Sequence, residues 1–180
     1  MASYRDRLPV VGGGGAVIKS VQRGSATLVT GASTSVVINA VDMSSSIVLI
    51  SFSAGSGQST DTPSSAVCSA RLASATSLFI YRQVSSPQQI PVSWQVIEYE
   101  SGVSVQRGTI ESSGTSFSAS ISPVDVSKSY TVHTSSPAVS SAVAIRSQVY
   151  GGLSSSTGLA FSRFTDFGFI SIDWQVASYV

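Results

Sequence analysis

Val21-Gln22-Arg23-Gly24 is repeated 84 positions further on as Val105-Gln106-Arg107-Gly108. Outward from this tetrapeptide the agreement continues. Val41-Asp42 with Ser44 and Ser46 returns as Val124-Asp125 with Ser127 and Ser129, at an offset of 83. Leu72, Ser74, Thr76, Leu78 and Arg82 return as Leu153, Ser155, Thr157, Leu159 and Arg163, all at 81. Trp94-Gln95-Val96 and Tyr99 return as Trp174-Gln175-Val176 and Tyr179, at 80. The order is kept, and the offset drifts by one or two residues between blocks, as small deletions in loops produce. A repeat of this length governs the fold, because each copy is one structural unit. The sequence therefore predicts an all-β chain of two tandem, mutually similar β-sandwich units, residues 17–99 and 100–180. An N-terminal arm and glycine hinge, residues 1–16, precede them.

Strand-like segments fill both copies. Ser35 to Val41 is β-branched and ends at an Asp-containing turn, and its partner, Phe117 to Val124, alternates Phe117, Ala119 and Ile121 with serine. Ile47 to Phe52 is an apolar run matched by Tyr130 to His133. Ser77 to Arg82 and Gly158 to Arg163 are strands ending in Arg, and Ile90 to Tyr99 and Phe169 to Tyr179 close the copies. Turn signals every 8–12 residues or so suggest a sandwich or small barrel. Glu100-Ser101-Gly102 reads as a hairpin turn joining the copies. Gly55 to Ser65 and Ser135 to Ser141 read as exposed loops, and Gly12 to Gly15 as a flexible hinge.

Composition agrees with this class. Of 180 residues, 11% are charged, 42% are hydrophobic and about 40 are Ser, with 15 Gly. A disordered chain carries fewer apolar residues and more net charge, and a coiled coil needs far more Ala, Glu, Lys, Leu and Arg. Serine, Thr and Val in excess fit strands and small-residue turns. The net charge of +1 leaves no electrostatic footprint for nucleic acid. One cysteine, Cys68, has no partner for an intrachain disulfide, and one His with one Cys cannot build a zinc site. No run of 18 apolar residues occurs, so no membrane span is expected, and Leu8 to Val11 is too short for the apolar part of a signal peptide. The expectation is a protein made and kept inside a cell, in the cytoplasm, until something releases it.

Chemistry-bearing motifs are few. Ala16-Val17-Ile18 follows the four glycines where a phosphate loop requires Lys and Ser or Thr, so a hinge is the better reading. His133, Asp125 and the many serines formally supply a triad, but no Gly-x-Ser-x-Gly elbow is present, and His133 reads as a surface or rim residue. Asp42 and Asp125 read as caps on turning backbone. Arg23 and Arg107, retained within an identical tetrapeptide, read as structural, in an ion pair beside a turn enforced by Gly24 and Gly108, in preference to a binding contact. Trp94 and Trp174 read as core or interface packing in preference to sugar stacking. No catalytic residue, metal or cofactor is expected.

The order of Ile18-Lys19-Ser20-Val21-Gln22-Arg23-Gly24, Ala40-Val41-Asp42, a Leu-x-Ser-x-Thr-x-Leu strand ending in Arg, and Val92-Ser93-Trp94-Gln95-Val96-Ile97-Glu98-Tyr99 resembles a β unit of tailed-bacteriophage structural proteins. Tail-fibre, tail-tip and capsid-attached accessory proteins carry such units. The resemblance covers about 165 residues. It implies a non-enzymatic virion component that binds other virion proteins, a capsid decoration or a tail or fibre accessory. Val92-Ser93-Trp94 and Ile172-Asp173-Trp174 are similar to the ending of H-type lectin domains, which are trimeric sandwiches that bind sugars. That likeness implies a surface glycan as the alternative partner and a lectin-type adhesin or receptor-binding module as the alternative function. Small units with β edges to cover also point to a homo-oligomer, with a trimer expected. Tyr4, Arg5, Arg7 and Leu8 on the arm are the expected docking residues for a partner protein or the next protomer.

Overall fold

A computed structural model describes residues 15–29, 32–53, 66–87, 89–138, 148–164, 166 and 168–180. The arm with Tyr4, Arg5, Arg7 and Leu8, the hinge up to Gly14 and the loop at 55–65 lie outside the described residues. The chain is all-β. Strands β1 (Val17–Leu28), β2 (Ser33–Val37), β3 (Ser46–Phe52), β4 (Ser69–Ser74), β5 (Ser77–Tyr81) and β6 (Ile90–Ser101) form the first half. Strands β7 (Val103–Ser112), β8 (Ser116–Ser120), β9 (Ser129–Ala138), β10 (Val149–Ser155), β11 (Gly158–Arg163) and β12 (Phe169–Tyr179) form the second. Single 3-10 turns occur at Met43–Ser45 and Val126–Lys128, and among the described residues no α-helix is present.

The strands make four three-stranded antiparallel sheets, in the orders β1-β6-β3, β2-β5-β4, β7-β12-β9 and β10-β11-β8. Each central strand is the last or next-to-last of its half. Alternation explains β6, where Ile90, Val92, Trp94, Val96 and Glu98 point inward and Pro91, Ser93 and Gln95 point to solvent. Leu28, Val48, Ala70, Leu78, Ile80, Val92 and Trp94, from both sheets of the first half, meet in one apolar cluster. Leu159, Phe161, Ile170, Ile172, Trp174 and Val176 form a second cluster, from both sheets of the second half. Burying a side chain of this size contributes roughly 1.5–3 kcal/mol.

Three local expectations are corrected. Residues 100–102 are not a hairpin: β6 already has β1 and β3 on its two edges, so β7 pairs with β12 instead. Gly102, at φ 77°, turns the chain from one sheet into the next. Ser135 to Ala138 is not a loop but the end of β9, paired with Phe169 to Ile172, and Ser136 is fully buried. Gly24 and Gly108 stand mid-strand, not in turns, each paired across the sheet with a tryptophan, Trp94 and Trp174.

Candidate functional site: the seam between the halves

The repeated tetrapeptide works one residue at a time. The Gln22 amide donates to the Asn39 carbonyl at 2.9 Å and accepts from the Asn39 N–H at 2.7 Å; Gln106 does the same with Ser122 at 3.0 and 2.7 Å. The following glycine accommodates an indole: a Cβ at Gly24 or Gly108 would stand 2.6 or 2.5 Å from Cζ2 of Trp94 or Trp174. Both tryptophans are buried, and among the described residues their Nε1 atoms have no hydrogen-bond partner. The arginines part company. Arg23 is exposed, whereas Arg107 lies half-buried and donates from Nη2 to the Met43 carbonyl and, at 2.7 Å, to the Ser46 carbonyl. Its partners are carbonyls, not a carboxylate as the expected ion pair requires. Burial lowers the Arg107 pKa, and Asp42 opposes that shift.

Arg107 belongs to a seam in which the outer face of β7-β12-β9 receives the β3–β4 edge of the first half. β12 is consequently buried from Ile170 to Ser178, on both faces. The Gln175 amide grips the edge strand β3, accepting from the Val48 N–H at 2.7 Å and donating to the Val48 carbonyl at 2.9 Å. A side-chain amide thus takes the place of a neighbouring strand on two otherwise orphaned backbone groups. Asp173, buried, accepts from Ser69 Oγ at 2.8 Å, Thr109 Oγ1 at 2.7 Å and Arg71 Nη1 at 3.3 Å. Arg71 also lies over the Phe79 and Tyr81 rings, 5.0 Å from each centroid. Tyr81 and Ser171 share a 2.7 Å hydroxyl bond, and the Gln83 N–H donates to Ser136 Oγ at 2.8 Å. Ile47, Val103, Val105 and Ala177 close the apolar end of the seam, with Tyr99 and Tyr130 against them. A cavity of about 90 Å³ remains beside Arg107, Asp173 and Gln175.

No family model, curated protein or solved structure matches the chain. Its function is therefore argued from its own geometry.

The other polar groups are held by structural contacts. Asp42 accepts from the Ser44 N–H and hydroxyl, and Asp125 does the same with Ser127, which lowers both carboxyl pKa values. His133 stands half-buried on β9, edge-on to Phe161, with Nε2 3.4 Å from the Val149 carbonyl. It stands opposite Trp174 across the strand pair, half-buried on the edge strand. Arg82 and Arg163, the strand-ending arginines, are buried and donate to loop carbonyls, Val29 and Ser86 for Arg82, and Ser113, Gly114 and Gly168 for Arg163. Burial pushes the Cys68 thiol up to about 12, which keeps it protonated. Among the described residues no group of three or more His, Cys, Asp or Glu side chains could hold a metal ion.

Sequence reasoning missed Asp173, Arg71 and the role of Gln175. At the offsets of 80 and 81 that relate the repeated segments, Ser93 and Gly152 stand where the second half has Asp173 and the first has Arg71. Arg107 and Gln175, which the repeated segments share, supply the rest of the seam, so the charged differences are the signal for Asp173 and Arg71 alone.

Proposed function

We propose that the chain is a non-enzymatic structural component of a tailed-phage virion, a capsid decoration or a tail or fibre accessory, that assembles on other virion proteins. We take residues 17–99 and 100–180 as two copies of one β-sandwich unit, fused and locked. The observation that carries the reading is how the buried polar side chains are used. Arg107, Arg163 and Gln175 each donate to backbone carbonyls, and Asp173 ties β4 to β7. Groups used in this way make a rigid building block. Repetition of the strand order and of the Gln–backbone and Gly–Trp contacts supports the duplication.

The test is imaging of purified particles, with the chain labelled, to locate it on capsid or tail. Density for the chain at symmetric positions on the particle is expected. A chain absent from particles that binds a defined glycan on an array would replace this reading with the lectin type.

A further inference from the structure

The first half repeats the seam-forming face of the second, but leaves it open. On the second half the covered positions Ser171, Asp173, Gln175 and Arg107 face the β3–β4 edge. On the first half the same register positions are Pro91, Ser93, Gln95 and Arg23, and all four are exposed. The Gln and the Arg that grip backbone in the seam are thus both present on the open face. Among the described residues neither the Gln95 nor the Arg23 side chain has a hydrogen-bond partner.

The mating edge is repeated too. In the first half Met43, Val48, Ser69 and Gln83 touch the second half. The offsets of 83 and 81 place Val126, Thr131, Tyr150 and Phe164 at those positions in the second half. Val126 is 48%, Tyr150 70% and Phe164 80% exposed, so three of the four counterpart positions present apolar side chains to solvent. Among the described residues β9 pairs with β12 alone, so it is an edge strand of the kind that proteins normally cover. Charge matches as well. Where the seam has Arg71 and Asp173, the open counterparts are Gly152 and Ser93, and both charges disappear together.

We propose that a second copy of this chain docks on the open face of β1-β6-β3. Its β9 edge and its Val126–Lys128 turn sit there as β3 and the Met43–Ser45 turn sit on β7-β12-β9. Gln95 bridges the Thr131 N–H and carbonyl of the incoming copy, and Arg23 reaches the carbonyls of its turn. This contact is heterologous, face to edge, and repeats from copy to copy into a ring or a filament. The inference rests on the duplicated-unit reading above and gives it a mode of assembly.

The experiment uses the full chain in a sedimentation-velocity concentration series. A face variant carries Arg23→Glu and Gln95→Ala, and an edge variant carries Tyr150→Lys and Phe164→Lys. All four positions are exposed, and circular dichroism confirms that the variants keep the wild-type β signal. Wild type is expected to associate, and each variant alone to sediment as a single chain. An equimolar mixture of the two variants retains one intact face and one intact edge, so it forms a 1:1 complex and stops there. In wild type, hydrogen exchange at the Thr131 amide is expected to slow as concentration rises, a reading independent of the variants. A wild type that remains a single chain throughout, or one whose association survives in both variants, overturns the proposal. Neither result touches the virion reading, which stands or falls on where the chain sits in the particle.

Discussion

A glycine in the middle of a strand normally weakens it, yet Gly24 and Gly108 hold that place because an indole lies against each backbone. Gly108→Ala forces Trp174 to move and is expected to lower the unfolding free energy by about 1–3 kcal/mol. Adding Trp174→Phe removes the clashing Cζ2, so urea unfolding of the two single variants and the double should show favourable coupling. Strict additivity would separate the glycine from the indole. Glu98 offers a second test at this scale. Its carboxylate, 3% exposed, accepts from the Asp42 N–H, the Lys19 ammonium and the Ser20 hydroxyl. The Asp42 N–H leads these in holding its pKa below the ordinary 4.5. A lowered carboxylate pKa contributes stability that is complete above pH 4.5 and is lost as pH falls through the lowered folded value. Glu98→Gln is therefore expected to flatten the fall in stability below pH 4.5. Making the comparison in an Asp42→Asn background removes the neighbouring carboxyl while keeping the N–H that bonds Glu98, so the difference between the two acid profiles isolates Glu98. Identical profiles would remove Glu98 from the acid response.

At the scale of the element, β6 and β12 share a motif but not an environment. Gln175 is buried and holds both backbone groups of Val48, while Gln95, at the same register, is in solvent. Gln175→Ala leaves a buried N–H and carbonyl unpaired, at about 1–3 kcal/mol for each. An exposed substitution of the Gln95→Ala kind stays within about 0.5 kcal/mol. Paired urea titrations of the two variants check that contrast, and equal losses would mean that the amide grip is immaterial. These strands also mark how far the sequence could be read. The Trp-Gln-Val segments, with the flanking apolar runs, located β6 and β12 because strand identity is written in local alternation, whereas the glycine in Val-Gln-Arg-Gly reads as a turn and hid the middle of β1 and β7. Which strands become neighbours is not local. The Glu100–Gly102 segment has hairpin chemistry, but β3 had already taken the second edge of β6. Ser135 and Ser136 look like loop residues until β12 pairs with them. Asp173 lay outside the shared motif, and its importance depends on Arg71 and Ser69 arriving from 102 and 104 positions away.

Across the whole molecule the seam decides whether two halves unfold as one. A unit of about 80 residues buries a modest share of its surface and is marginal by itself. Here the second half relies on the first, because the outer face of β12 and the side chains of Val103 and Val105 are covered by β3 and β4. The first half leaves the matching face of β6 in water, so it loses less when the seam opens. Dilute wild-type chain is expected to melt in a single calorimetric transition with matching van't Hoff enthalpy. Arg107→Ala with Gln175→Ala removes the grips on Met43, Ser46 and Val48 while leaving both apolar clusters intact. In that background the two tryptophans become reporters of separate halves. Trp94→Phe leaves Trp174 to follow the second half, and Trp174→Phe leaves Trp94 to follow the first. The Trp174 signal is expected to melt at the lower temperature, with the calorimetric enthalpy exceeding the van't Hoff value. Coincident fluorescence transitions in the seam variant would show that the halves are coupled through something other than Arg107 and Gln175, with the apolar contact of Ile47 against Val105 and Ala177 the next to be cut.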